Sequence, residues 1–477
     1  MRKTLRRSCN LCAKSKLRCD LLLPQCSRCQ KKSPHQTICL YANTPLSSVL
    51  TESGSTCFAR SSLGSYKTAP RPIEQLQLTL SNPGTEIFDP FDSYPQTRLP
   101  RAHVQRLIQH FLSTIAFQYY PLDLKATSNP FVVSWFPLAL ADPALFHVSL
   151  QTASLDVELR ACQGFSNSDI LMADSVHLVR LKIDDPFRAV QDETIDSVVT
   201  LAAIEFGKGN TDISQTHIEG IKSMVRLRGG IHQVKLVSPL TARMTAWVSM
   251  IVMQSPQFAT QDESGHGDGI APTPLWQAVR CHPSVSSLLY TLDLDPGVND
   301  ILCRLQMLFH EPEQFPMCTT EFHDLICFVL HRLLEPNSES RFHDNPAAQS
   351  TSECVRFATA LYLLIVHGPT YFSHAGLQYK LTTQLKAHLE NYAELFVQGN
   401  SNDSLALWIL SIGMVATSGM PDYQWFTNQL ADRAFMLGSQ TWEDALSHVR
   451  NILWIPKQQI EDIFQRHWQV MRADAVG

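Results

Sequence analysis

The sequence predicts an all-α fold for most of the chain, preceded by a linker and by a small N-terminal module that is too short to fold on a hydrophobic core alone. Three observations predict this division. Six cysteines lie within residues 9–39, residues 43–100 are rich in Ser, Thr and Pro, and from residue 101 apolar residues recur with the helical period of about 3.6. We therefore expect a module over residues 1–42, a flexible linker over 43–100 and a helical domain over 101–477.

Charge is distributed unevenly along the 477 residues. Hydrophobic residues make up 44% and charged residues 17%, which excludes a wholly disordered chain. Residues 1–42 hold ten Lys or Arg against one acid, Asp20, a net charge of +9, whereas the rest of the chain holds 29 basic and 43 acidic residues, a net of −14. Because a basic module attracts phosphates and releases condensed counterions, this asymmetry predicts nucleic-acid binding by the N-terminal module.

The N-terminal cysteines have the spacing C-x2-C-x6-C-x6-C-x2-C-x9-C, and no apolar signal segment precedes them. We therefore expect a reducing compartment, in which the cysteines bind metal rather than form disulfides. Zinc takes four tetrahedral ligands and prefers thiolates, so six cysteines complete two zinc sites only if two sulfurs each bridge both ions. The metal would also drive folding, because a module of this length holds too little core.

The segment CNLCAKSKLRCDLLLPQCSRCQKKSPHQTIC, residues 9–39, resembles the fungal Zn2Cys6 binuclear-cluster family. The resemblance implies a small zinc-stabilised module in which the first and fourth cysteines bridge two Zn²⁺ ions. Asp20 and Pro24 match the acid after the third cysteine and the middle-loop proline of that family. The implied ligands are Cys9, Cys12, Cys19 and Cys26 for one ion, and Cys9, Cys26, Cys29 and Cys39 for the other.

Two positions depart from the family pattern. The last spacing, nine residues, is longer than usual, so Cys39 is the least secure ligand, and His35 within this stretch is the alternative sixth ligand. Ala13 stands where the family usually has Arg, so one phosphate contact is expected to be missing. The other five cysteines keep the expected spacing.

The stretch between Cys12 and Cys19 is AKSKLR, and a short helix here would present basic side chains to a major groove. The resemblance implies that Lys16 contacts the bases of a CGG-like triplet. Other basic residues are expected to position the module on phosphates, namely Lys14, Arg18, Arg6, Arg7, Arg28, Lys31 and Lys32. Double-stranded DNA is thus the predicted partner.

The linker contains no clear dimerisation signal. Its apolar residues do not keep a heptad, so a coiled coil after the cluster is not predicted from Ile73, Leu76, Leu78 and Leu80. A monomer on one triplet and a homodimer formed through the helical domain both stay open. The segment EIFDPFDSY, residues 86–94, mixes acids with aromatics and is interpreted either as a loop that packs on the next domain or as an activation segment.

Apolar spacing predicts several helices in the large domain. One helix, with Asp192 as its N-cap, has a face formed by Ile195, Val198, Val199, Ala202 and Phe206. A second helix, ended by Gly229-Gly230, has a stripe formed by Ile218, Ile221, Met224 and Val225. A last helix, starting at Pro456, has one side formed by Ile460, Ile463, Phe464, Trp468 and Met471.

Four stretches of the helical domain resemble the fungal-specific transcription factor domain in its second common variety: LIQHF (107–111), NPFVVSWFPLALADPALFHVSL (129–150), DETIDSVVTLAAIEFGKGN (192–210) and HIEGIKSMVRLRGGI (217–231). The resemblance implies a large all-α regulatory domain without an active site. We interpret His217, Arg226 and Arg228 as residues that fix helix packing and cap carbonyls. The loop DESGHGDG (262–269) is interpreted as mobile rather than metal-binding, and the seven other cysteines as buried thiols.

Together the two resemblances indicate a transcription factor that acts in the nucleus on RNA polymerase II promoters and contacts the transcription machinery. An enzyme is not expected, because the helical part contains no HExxH, G-x-S-x-G, G-x4-GK[ST] or G-x-G-x-x-G signature. The alternative is a non-catalytic, zinc-containing protein-interaction adaptor. No membrane association is expected, because the longest apolar run, 135–150, is interrupted by Pro137, Asp142 and Pro143.

Overall fold

The computed structural model describes Ser15 and residues 94–162, 164–262, 264–279, 294–310, 313–335, 346–370, 373–391 and 403–476. The predictions for the cysteine-rich module, for most of the linker, and for Cys57 and Cys281 fall outside these residues. The helical domain, from Arg98 onward, belongs to one compact unit.

The helical domain is built from α-helices in succession. In chain order they are α1 (Arg101–His110), α2 (Ala116–Tyr119), α3 (Phe136–Ala141), α4 (Pro143–Ala161), α5 (Ser166–Ile183), α6 (Pro186–Ala189), α7 (Asp192–Gly207), α8 (Thr211–Leu227), α9 (Ile231–Val237), α10 (Pro239–Met253), α11 (Pro274–Ala278), α12 (Pro296–His310), α13 (Thr319–Leu334), α14 (Pro346–His367), α15 (Ala375–Asn391), α16 (Asp403–Ala416), α17 (Tyr423–Met436), α18 (Trp442–Arg450) and α19 (Gln458–Val476). Two π-helical turns, Phe111–Ile115 and Phe131–Trp135, precede α2 and α3.

The predicted all-α fold of the large domain is confirmed. Within the described ranges, β-pairing is limited to a single parallel bridge between Thr260 and Ile270. None of the helices there combines the length and apolar composition that a bilayer-spanning segment needs. The longest apolar run is divided between α3 and α4 by Asp142, whose carboxylate accepts the Leu145 N–H at the start of α4.

Helix α7 lies at the centre of the first half of the domain, where it packs against α4, α8 and α10. The predicted apolar face is buried at Ile195, Val198, Val199 and Ala202, but Phe206 is only half-buried. Every residue from 194 to 205 is buried, so the helix is enclosed on all sides. The predicted N-cap is wrong by one position, because Gln191 is the N-cap residue and Asp192 is the first helical residue.

Helix α8 confirms its predicted stripe and its predicted end. Its four apolar residues, Ile218, Ile221, Met224 and Val225, are buried. The Gly229 N–H donates to the Arg226 carbonyl and the Gly230 N–H donates to the Val225 carbonyl, which is the Schellman arrangement. Gly230 has φ +95°, and a Cβ there would overlap Asp268, so the position requires glycine.

The second half of the domain is organised around α16, which packs against α14, α17, α18 and α19. Helix α19 begins at Gln458, two residues after the predicted start at Pro456. Its predicted face is half-buried at Ile463 and buried at Ile460, Phe464, Trp468 and Met471. This face packs against an aromatic cluster that contains Tyr362, Trp442 and Trp454.

The cysteines of the helical domain correct one prediction. Cys303, Cys327 and Cys354 are buried as predicted, but Cys162 and Cys318 are exposed. Both exposed cysteines occupy helix ends. Cys162 ends α4 in a left-handed conformation with φ +53°, and Cys318 forms a capping box with Glu321 at the start of α13. These two helix ends lie at the surface, so both thiols contact water.

Candidate functional site

The predicted zinc ligands and DNA contacts all lie outside the described residues and stay predictions. Ser15, which lies in the stretch between Cys12 and Cys19, is exposed and forms part of a turn. The chemistry of the donor set fits zinc, since six thiols arranged around two C-x2-C pairs match its preference for thiolate ligands.

A polar network lies at the start of α7, in the first half of the helical domain. The Asp192 carboxylate accepts hydrogen bonds from the Arg228 guanidinium and from the Ser238 hydroxyl. Asp192 thereby ties the first turn of α7 to the residue after α8 and to the junction of α9 and α10. The predicted structural role of Arg228 is confirmed, since its side chain fixes the packing of these helices.

Asp196 continues this network one helical turn further into the core. It is only 2% exposed, and its Oδ2 accepts a hydrogen bond from the Thr241 hydroxyl at 3.1 Å. Its Oδ1 has no hydrogen-bond partner among the described residues. Burial raises the pKa of Asp196 well above its usual range, and the nearby Asp192 carboxylate raises it further. The arrangement therefore favours the neutral carboxylic acid.

Helix α10 carries a buried polar stripe that begins opposite Asp196. Thr241, Thr245 and Ser249 follow one another at intervals of four residues, and all three are buried. The hydroxyls of Thr245 and Ser249 have no hydrogen-bond partner within the described ranges. Because Asp192 bonds Ser238 and Asp196 bonds Thr241, the first turns of α7 and α10 lie side by side.

A cluster of histidines joins the first half of the domain to the second. His323 Nδ1 and His367 Nε2 share a hydrogen bond of 2.8 Å, and the Trp247 ring stacks on His367 at a centroid distance of 4.4 Å. Burial and the neighbouring His367 lower the pKa of His323 to about 3. Burial also lowers the pKa of His367 and of buried His374 to about 4. These rings are therefore neutral packing elements between α10, α13 and α14.

A partly buried ion-pair group reinforces the same junction. Arg243 on α10 donates two hydrogen bonds to the Asp324 carboxylate on α13, at 2.8 and 3.0 Å, and Lys235 on α9 lies 3.1 Å from it. Burial alone would raise the pKa of Asp324, but the Arg243 hydrogen bonds and the charges of Lys235 and Arg243 lower it overall. The carboxylate is thus held ionised between three helices.

A cavity of about 360 Å³ lies beside the start of α12. Its charged walls are engaged with protein partners. Arg356 binds Glu353 and the Leu333 carbonyl, the Glu335 carboxylate accepts the Thr260 N–H, and Asp295 caps α12 through the N–H of Gly297. These residues brace the cavity and do not form a nucleophile–base pair.

The loop at 262–269 is held by hydrogen bonds between its own residues, not by side chains arranged as metal ligands. The Asp262 carboxylate accepts the N–H groups of Ser264 and His266, and the His266 side chain is 82% exposed. In the part of the chain that the structure describes, no group of three or more His, Cys, Asp or Glu side chains is placed to hold a metal ion.

Two family models match the chain. The model described as the fungal Zn(2)-Cys(6) binuclear cluster domain matches residues 7–47, and the model described as the fungal specific transcription factor domain matches residues 106–262. No curated protein and no solved structure matches the chain.

The second match ends inside the loop that follows α10, so it covers the network of Asp192, Asp196 and Arg228. The first match covers all six N-terminal cysteines, and a domain of this kind binds two zinc ions. The chain therefore contains a fungal Zn(2)-Cys(6) binuclear cluster domain at residues 7–47 and a fungal specific transcription factor domain at residues 106–262.

Proposed function

We propose that this DNA-binding transcription regulator reads CGG-like triplets at RNA polymerase II promoters in the nucleus. The observation that carries the proposal is the six-cysteine spacing within a segment of net charge +9, in the region that matches the binuclear cluster. The two zinc ions would share Cys9 and Cys26. Cys12 and Cys19 would complete the first site, and Cys29 and Cys39 the second.

Base recognition in this proposal rests on Lys16. An ammonium group donates well to the O6 and N7 acceptors that guanine presents in the major groove, so a lysine suits a G-containing triplet. The remaining basic residues of the module would meet phosphates, which gives affinity without sequence information. Binding should therefore weaken steeply as salt rises, because each neutralised phosphate releases counterions.

The helical domain is proposed to regulate this activity rather than to catalyse a reaction. Its described polar clusters are internal hydrogen-bond networks and ion pairs between helices, as in the contacts of Asp192 and Asp324. The proposed division into a module at 1–42, a linker at 43–100 and a domain at 101–477 leaves the DNA-binding module tethered to this regulatory unit.

A substitution at Lys16 tests the DNA-reading role. Lys16→Ala is expected to lose at least tenfold of the discrimination between a CGG-containing duplex and a scrambled duplex, while the two zinc ions per chain are retained. Lys32→Ala is the matched control, since it removes a proposed phosphate contact and should weaken both duplexes alike. Unchanged discrimination in Lys16→Ala would overturn the assignment. A zinc-loaded chain that binds neither duplex would favour the protein-interaction adaptor.

The sixth zinc ligand is tested separately. Cys39→Ala is expected to lower the zinc content of the full chain and to abolish DNA binding, because one zinc ion loses a thiolate. His35→Ala should keep two zinc ions. The opposite pattern of metal content would assign the position to His35.

A further inference from the structure

The cavity beside the start of α12 lies where four segments of the helical domain meet. Its walls come from the loop at 260–262, the start of α12, the end of α13 and Arg356 on α14. Its volume of about 360 Å³ is within the range of cavities that hold small molecules. The loop at 260–262 ends the stretch that the transcription factor domain model matches, so the cavity joins that stretch to the helices that follow it.

The cavity combines an apolar floor with walls that are already held in place. Val298, Ile301 and Leu333 line it and are buried. The Glu335 carboxylate accepts the Thr260 N–H at 2.7 Å, which fastens the end of α13 to the loop. A ligand that enters such a cavity has little ordering of the protein to offset, and its apolar part is taken out of water.

The charged groups of the cavity have a negative balance. Three carboxylates and two guanidinium groups line it, those of Asp262, Asp295, Glu335, Arg332 and Arg356. One of the two cations is already paired, because Arg356 Nε donates to Glu353 at 3.1 Å. Counted with Glu353, four carboxylates stand against two guanidinium groups, a formal charge of −2. This balance favours a positively charged ligand over an anion.

Two of the carboxylates keep an oxygen for a ligand. Asp295 Oδ1 accepts the N–H groups of Gly297 and Val298 at 2.9 and 3.2 Å. Asp262 Oδ1 accepts the N–H groups of Ser264 and His266 in the same way. The Oδ2 atoms of both aspartates have no hydrogen-bond partner within the described ranges, and each can accept an N–H from a ligand.

The ligand that fits these groups is an organic cation rather than a metal ion. Across the described part of the chain, no three or more His, Cys, Asp or Glu side chains are grouped closely enough to hold a metal. An ammonium group on an organic body has three N–H donors and can bond two separated carboxylates. Its carbon atoms would lie on the apolar floor, which a hydrated metal ion would leave uncovered.

We propose that this cavity binds a small organic cation, a primary ammonium group attached to a compact apolar body. The ammonium group donates to Asp262 and Asp295, and the apolar body packs on Val298, Ile301 and Leu333. The bound molecule thereby ties the loop at 260–262 to the start of α12. Binding of this ligand does not depend on the proposed DNA recognition.

Ligand-observed NMR titration of the full-length, zinc-loaded chain tests the site with four primary amines of increasing apolar size: ethylamine, butylamine, cyclohexylamine and benzylamine. At least one of them is expected to bind saturably, with a Kd of about 1 mM or lower. The matching alcohols have similar shapes without the charge, so each should bind at least tenfold more weakly than its amine. A series in which no amine saturates, or in which the alcohols bind as tightly as the amines, overturns the proposal.

The double variant Asp262→Asn, Asp295→Asn locates the binding. An amide oxygen still accepts the backbone N–H groups that each aspartate holds, so the fold is kept while both charges are removed. We expect the Kd of the amine to rise at least tenfold.

Asp212→Asn is the matched control, because it removes one charge from an exposed position on α8, away from the cavity. It should bind the amine like the wild-type chain. A double variant that binds the amine as tightly as the wild type overturns the proposal. The zinc module is the same in all three proteins, so a change in amine binding reports on the cavity and not on DNA recognition.

Discussion

Asp192 and Arg228 form an ion pair that joins the first residue of α7 to the residue that follows α8, 36 positions along the chain. The pair is largely buried, since only 29% of the Asp192 side chain and 16% of the Arg228 side chain are exposed. The carboxylate also sits at a helix N-terminus, where negative charge is favourable. Together with the Ser238 hydrogen bond, the pair connects the start of α7 to the end of α8 and to the junction of α9 and α10.

Removing this contact should destabilise the helical domain. Asp192→Ala is expected to lower the free energy of unfolding by about 1–2 kcal/mol, because it leaves Arg228 and Ser238 without their acceptor. Arg228→Met should have a smaller effect, and the double variant should lose less than the sum of the two. Chemical denaturation of the four proteins measures the coupling, and strictly additive losses would show that the ion pair contributes nothing.

The two glycines of the α8 region should respond in opposite directions. Gly230→Ala is expected to cost about 2–3 kcal/mol of unfolding free energy, because φ is +95° and the new Cβ would overlap Asp268. Gly220→Ala should raise the free energy of unfolding by about 0.5–1 kcal/mol, because Gly220 lies within α8 and alanine favours the helix. A Cβ added at Gly220 would have no atom within 4 Å, so it would clash with nothing. Thermal unfolding of both variants compares them directly, and equal shifts in Tm would contradict this account.

Asp196 should make the protein less stable as the pH rises. Its pKa is raised in the folded state, so the fold retains a proton that the unfolded chain releases above about pH 4, and the free energy of unfolding falls with increasing pH. Asp196→Asn is expected to remove this dependence, because an amide stays neutral and still accepts from Thr241. Denaturation curves between pH 5 and 8 test the point with Asp212→Asn, an exposed site, as the control. A parallel pH dependence in wild type and Asp196→Asn contradicts it.

The buried histidines act in the opposite direction. The pKa values of His323, His331, His367 and His374 are lowered to about 3 or 4 in the fold, so below pH 6.5 the unfolded chain binds more protons and stability is lost. Each ring is expected to cost roughly 1–2 kcal/mol at pH 5 relative to pH 7. His331→Phe, which lies outside the His323–His367 pair, should flatten the acid side of the curve. If the free energy of unfolding of His331→Phe falls below pH 6.5 as steeply as that of the wild type, the His331 ring does not gain a proton on unfolding.

The buried face of a helix at the surface could be predicted from the sequence, whereas the contacts of a fully enclosed helix could not. Helices α8 and α19 show one apolar face at the helical period, and their stripes were predicted residue by residue. Helix α7 is buried on every side, so its pattern revealed one face and missed the polar contacts of Asp192 and Asp196. Those contacts join residues 36 to 46 positions apart, which no local pattern encodes.

The residues of the candidate sites also differ in how far the sequence predicts them. The zinc ligands are predicted from spacing, because two C-x2-C pairs, Cys19 between them and Cys39 after them lie within 31 residues. The exposure of Cys162 and Cys318 was missed, because it depends on where α4 ends and α13 begins.

The selection of bound sequences from random duplexes by the full-length, zinc-loaded chain tests the central claim most directly. Enrichment of a CGG-like triplet, lost on chelation of zinc and lost in Lys16→Ala, is the result that this account predicts. Recovery of sequences without a shared triplet, or the same enrichment from the zinc-free chain, would contradict it.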